Sequence, residues 1–192
     1  MSDADFLISS SIRLLDREFI NKAFATDDMH WAKPIPTDQL ELLLSRSLTL
    51  GLYKVLPAGS GSRSADSPSS PRTPSPTMED SPGEELEQIG MARFITDFVT
   101  FSYLTDVYVS PEYRKYGLGK WIVACCKEVM DAVPQKRRSL LLTSPKVGLK
   151  FYERELGFRN VVEDRDHMIC MASRGSGFGN TTTTEDRASG SS

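Results

Sequence analysis

Apolar positions along the chain repeat with two periods, one near two residues and one near three and a half. Phe6 to Ser9 is an apolar run of strand length, and behind it Leu15, Phe19, Ile20 and Phe24 recur at helical spacing, predicting a helix over Asp16 to Ala25. After the turn-like Lys33-Pro34-Ile35-Pro36, Thr37 is placed to cap a second short helix carrying Leu40, Leu43 and Leu44. Ser47 to Leu56 reads as a strand. Gln88 to Ile95 and Phe101 to Val109 are aromatic and aliphatic runs parted by Thr96-Asp97-Phe98, the pattern of two paired central strands. From Gly117 to Val133 the residues Leu118, Trp121, Ile122, Cys125, Val129, Met130 and Val133 follow one another at steps of three and four until Pro134 ends the run. A strand over Ser139 to Thr143, a helix over Lys146 to Leu156 stopped by Gly157, and a last strand over His167 to Ala172 complete the pattern. Strands alternating with helices in this way predict one α/β domain spanning residues 1–174.

Two stretches break the pattern. From Pro57 to about residue 86 the chain turns to Ser, Pro, Gly and charge, with Ser67-Pro68, Ser70-Pro71, Thr73-Pro74, Ser75-Pro76 and Ser81-Pro82 in close succession. Too few apolar groups are present to offset the entropy of ordering them, so a disordered insert within a hairpin is expected, and residues 175–192 read as a disordered tail. The Ser-Pro and Thr-Pro pairs permit proline-directed phosphorylation.

Charge and composition then narrow the function. The 192 residues carry 23 Lys and Arg against 26 Asp and Glu, a net charge of −3 with no basic block suited to a phosphate backbone, which argues against nucleic acid as the main partner. No apolar run approaches the roughly 20 residues that cross a bilayer, and Met1 to Ser10 lacks the basic start of a signal peptide. A soluble, cytoplasmic protein, with the nucleus left open, is the expectation. Three cysteines without a CxxC pair and two distant histidines, His30 and His167, argue against a metal site and for reduced thiols.

The chemistry concentrates in Val107-Tyr108-Val109-Ser110-Pro111-Glu112-Tyr113-Arg114-Lys115-Tyr116-Gly117-Leu118-Gly119-Lys120. A strand runs through a tight turn into a helix whose first amides have no intrahelical acceptor, and such a helix start, favoured by its dipole, suits a pyrophosphate. Gly117 and Gly119 allow close approach, while Arg114, Lys115 and Lys120 add positive charge. The dinucleotide fingerprint is absent, because its third glycine would fall at Ile122.

The whole string Val-x-Val-x-Pro-x-x-Arg-x-x-Gly-x-Gly resembles the GNAT superfamily, the Gcn5-related N-acetyltransferases, and the resemblance extends over most of residues 3 to 172 outside the Ser/Pro insert. It implies a mixed central sheet of about six to seven strands flanked by helices, with acetyl-CoA as co-substrate and no metal. The acyl-CoA loop of the family maps onto Arg114, Lys115, Tyr116, Gly117, Leu118 and Gly119, with Lys120 just beyond. The backbone of Val107 and Val109 would pair with the pantetheine amides. A second matching stretch, Gly148 to Phe158, places Tyr152 where the family often has a tyrosine that protonates the leaving thiolate; Pro145 stands where an Asn is frequent. Asp106, before Val107, lies where acidic residues recur and is the first choice for the base that takes the proton of the amine. His30 and Trp31 could line the acceptor site or serve only in packing.

The implied reaction is direct attack of a primary amine on acetyl-CoA in a ternary complex, with a small molecule favoured as acceptor because Thr26 to Thr37 reads as a compact, partly apolar cover. A non-catalytic acyl-CoA-binding module and a protein lysine acetyltransferase are the alternatives. A monomer or homodimer is expected.

Overall fold

The computed structural model describes residues 5–56, 85–144 and 148–161. The Asp16 carboxylate accepts hydrogen bonds from the N–H groups of Glu18 and Phe19 at 2.9 and 3.1 Å, which caps helix α1 (Arg17–Phe24). Helix α2 (Thr37–Ser45) departs from its expected start. Pro36, with φ −54° and ψ 149°, occupies the cap position, and Thr37 is the first helical residue with no side-chain cap. The proline ring fixes φ and leaves an extended residue at the helix entrance, so the cap moves one position upstream. Between the two helices, Asp27–Met29 forms a single 3-10 turn that buries Met29.

The strands are β1 (Phe6–Ser9), β2 (Leu48–Leu56), β3 (Glu85–Thr96), β4 (Phe101–Val109) and β5 (Arg138–Leu141), and they lie in sequence order in one sheet. The pairings are antiparallel from β1 to β4, and β5 runs parallel to β4. Five strands among the described residues compare with the six to seven that the resemblance implies; the strand expected over His167 to Ala172, residues 145–147, the insert at 57–84 and the tail all lie outside the described residues. Strand β3 starts at Glu85, earlier than the apolar pattern indicated. Its first residues Glu85 and Glu87 are exposed and pair with Leu56 and Lys54 of β2, so backbone pairing carries the strand past its apolar limit.

Helices cover both faces. On one, Leu15, α1, Met29 and α2 pack against Met91 of β3 and Tyr108 of β4. On the other lies α3 (Leu118–Asp131), which buries Leu118, Ile122, Val123, Cys126 and Met130. Its end forms a shallow groove with Phe94 and Ser102 through Val129, Ala132 and Val133. Helix α4 (Leu149–Leu156) packs against α3 and ends at Gly157, where φ of 69° takes the left-handed turn that glycine permits.

Two bulges shape the sheet. The register between β2 and β3 shifts at Leu52/Tyr53, where Ile89 is the extra residue, and the Ile89 carbonyl accepts the Ser110 N–H at 2.9 Å. Between β3 and β4, Met91 pairs with Tyr108 and Arg93 with Thr105, so Ala92 stands opposite both Asp106 and Val107. Asp106 has φ 51°, a left-handed conformation that aspartate tolerates better than most residues. Just before this bulge the pairing of β4 with β5 ends at Leu104↔Leu141, and from Thr105 on β4 has no neighbour on that side among the described residues. The chain divides into two units, Met1–Gly157 and Phe158–Ser192, and the architecture above belongs to the first.

Candidate cofactor and acceptor site

Strand β4 ends at Val109 and passes through a 3-10 segment, Pro111–Tyr116, into α3. The Tyr113 N–H donates to Ser110 O at 2.9 Å, and Gly117, at φ 76°, reverses the chain into the helix. No side chain caps α3. The first helical amides to find an acceptor are those of Lys120 and Trp121, which both donate to Gly117 O; the N–H groups of Leu118 and Gly119 have no acceptor among the described residues. A Cβ added at Gly119 would meet nothing within 4 Å. Glycine inside a helix costs up to about 1 kcal/mol relative to alanine, and no neighbour here requires it. Free amides, an open approach and the positive end of a helix dipole fit a phosphate group. Lys115 and Lys120 are exposed beside this point, and Lys115 Nζ lies 5.2 Å from the centre of the Tyr116 ring.

Arg114, expected beside the pyrophosphate from its charge, makes three contacts within the protein. Its Nε donates to Val109 O at 2.9 Å and its Nη2 to the Asp28 carboxylate at 2.6 Å, while the guanidinium lies 5.8 Å from the centre of the Tyr108 ring. The side chain thereby ties the loop to the end of β4 and to the turn after α1. It also occupies the Val109 carbonyl, one of the backbone groups expected to meet pantetheine. Along Thr105 to Val109 the β4 edge turned away from β3 has no paired strand among the described residues, so the edge itself stays available for an extended amide chain.

Asp106 is 5% exposed and fully engaged. Oδ2 accepts from Nε and Nη2 of Arg93, both at 2.7 Å, and Oδ1 accepts from Trp31 Nε1 at 3.2 Å and Thr105 Oγ1 at 3.1 Å. Four donors fill the roughly four lone-pair positions of a carboxylate. Arg93 was not singled out in the sequence, although one signal was there: a lone charge inside the apolar run Ile89 to Ile95 must find a partner if it is buried. Trp31 is 43% exposed, with the His30 ring edge-on to it at 5.0 Å.

Tyr152 stands half-buried on α4, with the Phe151 ring 5.1 Å away. Burial pushes its hydroxyl up to about 12, and the Cys126 thiol of α3 adds to the effect. Cys126 itself is buried, and its thiol is likewise pushed up to about 12 by burial first and by Cys125 second. Among the described residues no group of three His, Cys, Asp or Glu side chains is placed to hold a metal ion, and no helix is long and apolar enough to cross a membrane. The two surface depressions described on the protein lie elsewhere, one at the ends of α1 and α2 around Arg17, Asn21 and Pro34 and one beside Phe94.

A mixed sheet whose pairing between the fourth and fifth strands stops at Leu104, and whose fourth strand then leads into a helix start with free amides, is the arrangement of an acyl-transferase fold. Comparison with known proteins narrows this. The sequence model of the Acetyltransferase (GNAT) family matches residues 77–158. A Gibberella zeae protein named "Putative acetyltransferase FG08082" is 37% identical over 159 residues, covering 83% of this chain and 82% of that one. A Xanthomonas campestris crystal structure, described as "a putative acetyltransferase belonging to the gnat family", is 25% identical over 88% of this chain and 94% of its own, with a TM-score of 0.58. A Staphylococcus aureus structure shares the fold at 17% identity, with a TM-score of 0.55 over 88% of this chain and all of its own. The chain belongs to the GNAT acetyltransferase family.

Proposed function

We propose that this protein transfers the acetyl group of acetyl-CoA to the primary amine of a small molecule, by direct attack within a ternary complex. The observation that carries the reading is the pair of free amides at Leu118 and Gly119 beside the open side of Gly119. They would hold the pyrophosphate of the co-substrate, with Lys115, Tyr116, Gly117 and Lys120 around it. The unpaired edge of β4 at Val107 and Val109 would receive the pantetheine arm, and an amide of this edge would polarise the thioester carbonyl. Attack of the amine nitrogen forms the C–N bond and breaks the C–S bond; the proton released from nitrogen passes to solvent water, from which the Tyr152 phenol is reprotonated after each turnover. Tyr152, which keeps its proton throughout the neutral range, would give it to the departing thiolate.

Two measurements test the reading. Acetyl-CoA should raise the melting temperature, because a ligand of the folded state at about 100 times its Kd adds roughly 2.7 kcal/mol. A panel of amines, amino acids, polyamines and peptides should then show CoA release with a small amine. A thermal shift without release for any acceptor would favour the non-catalytic acyl-CoA-binding alternative. Release with a histone-tail peptide alone would favour protein lysine acetylation, and no thermal shift would remove the whole assignment.

A further inference from the structure

Among the described residues, the face of the sheet that carries α1 and α2 is left without a covering helix next to the β4 bulge. Register puts Arg93 and Thr105 on this face beside Met91 and Tyr108, and the next pair along it is Ile95 and Tyr103. Ile95 is 47% exposed and Tyr103 half-buried, so the two helices stop short of them. Trp31 comes from the connection between α1 and α2, and its indole N–H reaches down to Asp106 in the bulge itself. Among the described residues, the charges that meet in the bulge, Arg93 and Asp106, neutralise one another at 2.7 Å. What remains open is therefore apolar and aromatic: the indole of Trp31 above, with Tyr103 and Ile95 following along the strands.

An indole whose N–H is held by a buried carboxylate cannot turn about its long axis, so one edge is fixed and the ring stays out as a wall. Holding such a ring ready removes an ordering cost that a ligand would otherwise meet on binding. The same four contacts leave Asp106 no free lone pair for a proton. A neutral, aromatic surface beside the splayed edge of β4 suits an acceptor with a flat apolar body and offers nothing to the second charge of a diamine.

From this geometry we infer that Trp31 determines acceptor specificity, selecting amines that carry an aromatic body, and that Asp106 is a positioning residue that holds Trp31 and does not take the proton of the amine. The inference rests on the acetyl-transfer reading and names the substrate class of that site.

Two tryptophans are present, Trp31 and Trp121, so the Trp121→Phe protein reports on Trp31 alone. With CoA bound, 2-phenylethylamine should change its emission saturably, and 1,4-diaminobutane should not do so at tenfold higher concentration. Binding read in this way needs no turnover, so it decides the inference even where no amine is acetylated; equal responses to the two amines, or none to either, would overturn it. In turnover, Trp31→Ala should lower the preference for 2-phenylethylamine over 1,4-diaminobutane about tenfold or more, mainly through KM. Trp31→Phe keeps a ring but loses the tie to Asp106, and should raise KM severalfold with kcat nearly unchanged. Neither substitution disturbs the Arg93–Asp106 pair, so folding is not at stake. An unchanged preference in Trp31→Ala, with acetyl-CoA binding intact, sinks the inference and leaves the acetyl-transfer reading standing. Asp106→Asn should retain the acid limb of the kcat/KM profile against pH; loss of that limb in a folded variant would make Asp106 the base.

Discussion

Tyr152 can be separated from its surroundings by one atom. Its ring packs near Phe151 on α4, and its hydroxyl is a proton donor at neutral pH because burial disfavours the phenolate. Tyr152→Phe keeps the ring and removes the proton. If the hydroxyl serves the leaving thiolate, turnover should fall about 10²-fold while the thermal shift given by acetyl-CoA stays close to that of the native protein. Native turnover in the Phe variant would reduce Tyr152 to a packing residue. Arg114 has structural contacts besides any it makes to a ligand. It joins Val109, Asp28 and Tyr108, and so sets where the loop begins.

At the scale of elements, the start of α3 is the place where stability and binding should respond in opposite directions. Gly119 lies in the first turn with empty space around its Cα. Gly119→Ala should therefore stabilise the free protein by about 0.5–1 kcal/mol, the difference in helix propensity, as read by chemical denaturation. The same methyl group would occupy the approach to the free amides, so acetyl-CoA affinity should fall. Gly119→Glu, which adds a negative charge as well as bulk, should abolish binding. Equal or tighter acetyl-CoA binding in either variant would move the pyrophosphate site away from this helix. The hairpin between β3 and β4 is built with comparable economy: the Asp97 carboxylate accepts the N–H groups of Val99, Thr100 and Phe101 and the Thr100 hydroxyl. These contacts hold its carboxyl well below the usual range, the Thr100 hydroxyl contributing most. They also keep Phe98 at φ 60°, turned out to solvent.

At the scale of the molecule, β2 and β3 form a hairpin whose register runs without a gap from Leu56↔Glu85 down to the bulge. The two ends at Leu56 and Glu85 face each other directly. Residues 57–84 should thus be replaceable by the two-residue turn Asn-Gly, which suits the twist of antiparallel strands. The shortened protein is expected to keep its circular dichroism and its acetyl-CoA thermal shift, with a melting temperature equal to or above that of the full chain, since closing a shorter loop costs less entropy. A fall of many degrees would show that the fold depends on something within 57–84. The family match bears on the same scale: 83% of the chain aligns with the Gibberella zeae relative, and the family model spans residues 77–158, from before β3 through α4.

Local signals made much of this protein readable in advance. The strand over Phe101 to Val109 is legible to the residue, because a run rich in aromatic and aliphatic side chains lies there between two turn signals. The helix after Gly117 was legible from its three- and four-residue steps, and the turn before it from a glycine pair that only a positive φ and a close approach demand. Those features depend on residues near one another in sequence. What tertiary structure decided depends on residues that are not. Trp31 and Asp106 are 75 residues apart, and nothing in the pattern around either one specifies the bond between them. Arg93 and Asp106 are only 13 apart, yet they meet because an extra residue in β4 turns Asp106 toward the α1 and α2 face, and a strict two-residue period cannot announce a bulge. The end of the pairing between β4 and β5 is likewise a tertiary property: among the described residues Leu104 is the last of β4 with a partner on that side, although the apolar pattern of the strand runs on to Val109. Sequence determined most of the helices and strands among the described residues and the glycine turn that opens α3, since backbone preference and glycine freedom are local. Only the assembled sheet decided that Trp31, Arg93 and Asp106 meet, since that follows from register.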